Sequence, residues 1–223
     1  MAGAVRKEQE MSGVKKILRF QKNDEVLQAL SKADEKINYL IQLIGDYTLE
    51  LERDFFKALV QSIVGQQLSI KAAETIFARL ENLCGQVTPE RILSLSENEL
   101  KSAGLSKKKI EYIKDLSEKV ISGAVDLEKL DSMNDEEVIR TLVQVKGIGR
   151  WTAEMFLIFS LGRPDIFSLL DFGLQLAVKG LYGLSDWPDK KTLDSISQRW
   201  KPYRTAASLY LWEAKNRGYI NLT

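Results

Sequence analysis

Three observations predict an all-α fold for this 223-residue chain. Helix-capping residues recur at short intervals, apolar residues follow the 3.6-residue period, and no alternating run is long enough for a sheet. Ser69 precedes IKAAETIFARL, in which Ile70, Ala73, Ile76, Phe77 and Leu80 share one helical face. Thr88-Pro89 reads as an N-cap followed by proline at the first helical position. Ser96 with Glu99, and Asn134 with Glu137, have the spacing of capping boxes, so each opens a helix. Asp171 precedes FGLQLAVKGLYG, a further helical stretch, and the segment after Pro202 runs helically to Gly218, a natural C-cap. Caps at this spacing predict nine to eleven short helices, given typical helix lengths.

Composition narrows the function classes. Apolar residues make up 44% and charged residues 28%, ordinary for a globular protein. No apolar run approaches the ~20 residues of a membrane span, and residues 1–16 lack the apolar core of a signal peptide. The single cysteine, Cys84, excludes an intrachain disulfide and any cysteine-cluster metal site, and points to a reducing, intracellular setting. Histidine is absent, which excludes histidine triads and a histidine base. An enzyme of this composition would draw its acid–base group from a carboxylate, lysine or tyrosine. The net charge of +1 does not announce a nucleic-acid binder, so any such contact must be local.

A faint repeat supplies a local candidate. LKSAGLSKKKIEYI (100–113) and LVQVKGIGRWTAEMF (142–156) share one plan: an apolar helix end, Gly-apolar-small, basic residues, and a new helix. In the first copy Ser106 stands where the second has Gly149, and a plain helix corner accounts for it. The second copy says more. Gly147 and Gly149 are expected to allow positive φ and close backbone approach, with Ile148 pinning the two helices. Amide N–H groups at a helix start, flanked by Lys146 and Arg150, suit a phosphate diester, and contact through backbone atoms ignores base sequence.

Asp171 admits two accounts on local grounds, a helix N-cap or a functional acid. Trp151 and Trp212 likewise read either as core or as faces for a cationic ring.

VKGIGRWTAEMF, RPDIF and Asp171, together with SIVGQQLS (62–69), AGLSKKKIEYI and WKPYRTAASLYLWE (200–213), resemble the helix–hairpin–helix DNA glycosylase superfamily. Within it the likeness is to the DNA-3-methyladenine glycosylase II (alkylpurine) branch. The likeness covers roughly residues 55–218 in the family's order. It implies a two-lobed helical core with the active-site cleft between lobes. The whole of 1–223 would be one glycosylase core, with a central lobe at about 50–155 and a terminal lobe from 1–49 plus 156–223. The implied substrate is double-stranded DNA with alkylated bases, bound by a monomer in the nucleus of a eukaryote or the cytoplasm of a prokaryote. The rival is a non-catalytic helix–hairpin–helix module that binds damaged or bent duplex.

The resemblance also implies roles. Asp171 takes the post of catalytic carboxylate, stabilising an oxocarbenium-like sugar and serving as base for water. Trp151 stands where lyase branches carry a lysine, and an indole cannot form a Schiff base, so a monofunctional glycosylase is expected. Trp151, Trp212, Met155, Phe172 and Tyr210 are the expected base pocket, with Met155 replacing a tyrosine of some relatives. Tyr203 is a further candidate wall. Asp165 reads as a turn residue and Arg204 as a possible neighbour of the site. The expected DNA contacts are Lys146, Gly147, Ile148, Gly149, Arg150 and Thr152 at the hairpin, Ser106 and Lys107 at the first corner, and the 66–68 loop. In that loop Gln67 aligns with the wedge that fills the gap left by a flipped base, with Gln66 and Leu68 the alternatives. No cofactor is expected to be required. A Na+ or K+ ion on the backbone carbonyls of Val143, Val145 and Ile148 is implied. The β-rich domain and cysteine cluster of some relatives find no room or ligands here, so the chain reads as a minimal core.

Overall fold

The computed structural model describes residues 16–220; the polar N-terminal stretch weighed above as a leader lies outside them, apart from Lys16. Twelve α-helices are present among the described residues: α1 (Glu25–Ala33), α2 (Glu35–Ile44), α3 (Phe55–Gly65), α4 (Ile70–Cys84), α5 (Pro89–Ser94), α6 (Glu97–Ser102), α7 (Lys107–Ile121), α8 (Asp135–Leu142), α9 (Arg150–Phe156), α10 (Phe172–Tyr182), α11 (Lys190–Ser197) and α12 (Arg204–Asn216). The predicted caps are in place. Thr88 caps α5, both capping boxes form, and Gly218 adopts positive φ beyond α12. Such caps are each worth about 1 kcal/mol, enough to set where short helices begin.

One expectation needs correction. A two-stranded antiparallel sheet joins β1 (Lys16–Phe20) to β2 (Tyr47–Leu51), with Leu18 opposite Leu49. Each strand has five residues, too few to stand out by alternation, and the partner lies beyond a helical pair in sequence. Its apolar face is held by the core, since Leu49 and Leu51 are buried. The face predicted for α4 is also shorter than expected: Phe77 and Leu80 are buried, whereas Ile70 is 80% exposed.

The buried side chains form two clusters. One gathers Leu49 through Ile166 with Leu209; the other gathers residues of α1 and α2 with Phe167 through Ile220. Helix α12 contributes to both, and Trp212 packs against both. The π-helical turn Leu157–Leu161 follows α9 directly, and its Phe159 carbonyl accepts the Glu52 amide at 3.0 Å, tying the sheet to the end of α9. The segment from α9 to α10 therefore crosses the boundary between the clusters.

Candidate active site at the boundary of the two cores

The two corners of the repeat share one geometry. Gly104 (φ 100°) and Gly147 (φ 80°) turn the chain, Leu105 and Ile148 are buried, and the next residue opens a helix. Burying an Ile148-sized side chain contributes about 1.5–3 kcal/mol, which pins α8 to α9 as predicted. The two hairpin glycines differ, however. A Cβ on Gly147 would collide with the Tyr112 ring, so that glycine is required by the fold. Gly149 has an ordinary φ of −94°, not the positive φ expected, and a Cβ there would meet nothing within 4 Å. The chain itself gives no reason for its lack of a side chain. No acceptor among the described residues takes the amide N–H of Gly147 or Gly149.

The flanking cations are paired rather than bare. Lys146 Nζ donates to Glu111 at 2.7 Å, and Arg150 is shared between Glu136 and Glu154. Both ammonium and guanidinium are thereby held more firmly protonated, chiefly by their hydrogen bonds to Glu111 and Glu136. The Lys146 amide is taken by Asp115 at 2.8 Å. Thr152 is buried, so its side chain faces the core, and any contact it makes outside must come from its backbone. Ser106 caps α7 through the Lys109 amide, and Ser106 and Lys107 are both exposed.

Asp171 is 8% exposed, and the cap, one of the two accounts left open above, is realised. As N-cap of α10 its Oδ1 accepts the Leu174 amide at 2.7 Å. That oxygen also accepts Trp212 Nε1 at 2.9 Å, while Oδ2 accepts Trp151 Nε1 at 2.9 Å. Hydrogen bonds of this kind to an ionised group contribute about 1.5–3 kcal/mol each, so the carboxylate fixes both indoles. Trp151 remains 41% exposed, and Trp212 stacks on Phe159 with ring centres 5.7 Å apart. Met155 is half-buried one turn along α9.

Other expected walls divide. Phe172 is exposed and stacks on Trp187 at 5.1 Å, and Trp187 is in turn anchored to Gln175. Tyr210 is a correction. It is fully buried, its ring lies 6.0 Å from Tyr47, and its hydroxyl donates to the Gly45 carbonyl. The turn of α12 that directs Trp212 toward Asp171 directs Tyr210 into the core. Tyr203 packs with the same terminal cluster. Arg204 and Asp165 grip each other through four hydrogen bonds, the two between side chains at 2.7 and 3.0 Å, and neither bonds to Asp171.

Several residues escaped the sequence. Gly173 packs closely beside Asp171, since a Cβ there would stand 3.1 Å from its Oδ1 and 3.3 Å from Trp212 Nε1, and these neighbours would have to give by a few tenths of an ångström. Its place directly after Asp171 and Phe172 was a visible signal. Glu154 is buried and accepts both Arg150 Nε at 2.9 Å and the buried Ser168 hydroxyl at 2.5 Å. Ser168 in turn takes the Asp171 amide on its carbonyl. This chain of contacts joins the hairpin helix to the loop that carries Asp171. No sequence spacing links Arg150 to Ser168.

A glycine hairpin between two helices, the second opening with an indole bonded to a buried carboxylate, is a helix–hairpin–helix arrangement. The chain belongs to the HhH-GPD superfamily of base excision DNA repair proteins, whose profile matches residues 60–202. It is 32% identical over 213 residues to the putative DNA-3-methyladenine glycosylase YfjP of Bacillus subtilis, covering 92% of this chain and 74% of that one. The crystal structure of a DNA-3-methyladenine glycosidase from Bacillus halodurans is similar at a TM-score of 0.83 and 41% identity, covering 91% of this chain and 94% of that one. The Schizosaccharomyces pombe 3-methyladenine DNA glycosylase Mag1, solved in complex with abasic DNA, is similar at 0.77 and 35% identity, over 86% of this chain and 97% of that one.

Proposed function

We propose that this chain is a monofunctional DNA glycosylase that swings alkylated purines of the 3-methyladenine and 7-methylguanine type out of duplex DNA and hydrolyses the N-glycosidic bond. The observation that carries the reading is one buried carboxylate bonded at once to two indole N–H groups, on the loop next to the glycine hairpin. A purine methylated at N3 or N7 is cationic and leaves as a neutral base, so no acid need protonate it. The glycosidic electron pair departs with the base, and water forms the new bond to the sugar carbon. Asp171 faces the positive charge that develops on the sugar and takes the proton from that water. The exposed face of Trp151 offers the cationic ring a stacking gain of roughly 0.5–2 kcal/mol.

The amides of Gly147 and Gly149 supply donors for a phosphate, and the lack of a side chain at Gly149 admits a strand closely. The carbonyls of Val143, Val145 and Ile148 suit a Na+ or K+ ion. Val143 caps α8, the Val145 carbonyl already accepts the Ile148 amide at 3.1 Å and would share its second lone pair, and the ion would add positive charge beside the strand. The active form is a monomer working where DNA is kept, in the nucleus or the prokaryotic cytoplasm. No helix among the described residues is long and apolar enough to cross a membrane.

Incubation with methylated DNA should release free 3-methyladenine or 7-methylguanine and leave intact abasic sites. Borohydride should trap no covalent adduct with abasic DNA; an adduct would assign a lyase instead. Asp171→Asn must set its amide NH2 against one indole, and turnover should fall by about 10²-fold or more while duplex binding is kept. Binding without base release by the native protein would favour the non-catalytic module.

A further inference from the structure

The loop between α3 and α4 carries a residue in the left-handed region and is held by hydrogen bonds on both sides of it. Gln67 has φ +57°, the one positive value among the described non-glycine residues, and its side chain is exposed. Strain of this kind persists only where the surroundings over-determine it. Here Gln66 Nε2 donates to the Gly147 carbonyl at 2.8 Å, and Lys109 Nζ donates to the Val64 carbonyl at 2.7 Å. Downstream, Ser69 caps α4 and the Leu68 amide returns to the Gly65 carbonyl at 3.2 Å. Gln66 is therefore engaged by the hairpin, while the Gln67 side chain is exposed. The Gln66 contact spans 81 positions and lands on the hairpin glycine that rests against Tyr112.

We propose that Gln66 is a positioning residue whose side-chain amide locks the strained loop to the hairpin, so that Gln67 is already aimed into the duplex when the hairpin grips the strand. This rests on the glycosylase function proposed above. The chemistry is specific to the amide. A donor must reach a backbone carbonyl, and glutamate, of equal length, would set a carboxylate against that carbonyl. Insertion from a fixed loop avoids the ordering cost that a mobile wedge would meet at the moment of flipping.

The test compares Gln66→Ala and Gln66→Glu with the native protein on two substrates. One carries 7-methylguanine paired in a duplex; the other carries it in a one-nucleotide bulge, where no partner base is left behind. Release from the paired lesion should fall about tenfold or more in both variants, and release from the bulge should change less than about twofold. A third arm needs no catalysis: 2-aminopurine beside a tetrahydrofuran abasic site reports insertion through its emission, and both variants should lose that change while still binding the duplex. Equal losses on both substrates would mark Gln66 as a pocket or folding residue and overturn the proposal, as would unchanged release and emission. If the native protein released no base from either substrate, the glycosylase reading would fall, and the emission arm would still decide the bracing role.

Discussion

The two hairpin glycines, two residues apart, answer to different demands. Gly147 combines φ 80° with a site that the Tyr112 ring closes to any Cβ, so Gly147→Ala should destabilise the protein by about 1–3 kcal/mol. Gly149 caps α9 from extended backbone with open space around it, and serine is a better cap than glycine. Gly149→Ser should therefore keep or slightly raise the melting temperature while weakening binding to damaged and undamaged duplex alike. Thermal melts and anisotropy titrations separate the two, and a Gly149→Ser protein with native DNA affinity would remove the hairpin from the interface. At the same scale, capping α10 leaves the Asp171 carboxylate able to hold two indoles as well. One carboxylate oxygen serves both the cap and the Trp212 indole, and the other meets Trp151.

At the scale of elements, the hairpin is anchored to α7 by a carboxylate. Asp115 accepts the Lys146 amide with one oxygen and Lys119 with the other. Burial pushes its pKa up, but the Lys119 bond, the Lys146 amide and the two cations outweigh this and hold it below the usual carboxylate value. A depressed folded-state pKa stabilises above the unfolded value and loses that stability as pH falls through the folded one. Asp115→Asn should thus cost about 1 kcal/mol at neutral pH, and the gap from the native protein should close as pH drops below about 4. Melts across pH 3–7 check this; a gap independent of pH would mean the charge of Asp115 does not hold the hairpin. The buried Glu154–Ser168 bond does a comparable task between α9 and the Asp171 loop, by contacts that no helix pattern encodes.

Across the whole molecule, the near-neutral charge extends to the surface around the hairpin. Glu111 and Glu136 each occupy a cation that flanks the hairpin. Under the function proposed above, phosphate binding would exchange a carboxylate for a phosphate and so limit grip on undamaged DNA. Glu111→Gln with Glu136→Gln should tighten binding to undamaged duplex several-fold at low salt and steepen the salt dependence of log K by up to about 2. An unchanged slope would show that Lys146 and Arg150 do not meet phosphate. The two hydrophobic clusters meet where Trp212 packs against both, and Asp171 lies at that meeting.

Helix starts were legible in the chain because a cap is a local bargain between one side chain and amides two or three residues on, as at Thr88, Ser96, Asn134 and Asp171. The hairpin was legible for the same reason, through glycine and a buried apolar residue in sequence order, and the resemblance singled out Asp171, Trp151 and Trp212. What required the folded chain was every pairing across distance: β1 with β2, Gln66 with Gly147, Phe159 with Trp212, Glu154 with Ser168. The opposite fates of Tyr210 and Trp212 on one helix also belong there. Local propensity fixes dihedrals and caps, but which face of a helix meets a cleft and which meets a core depends on what the rest of the chain packs against it.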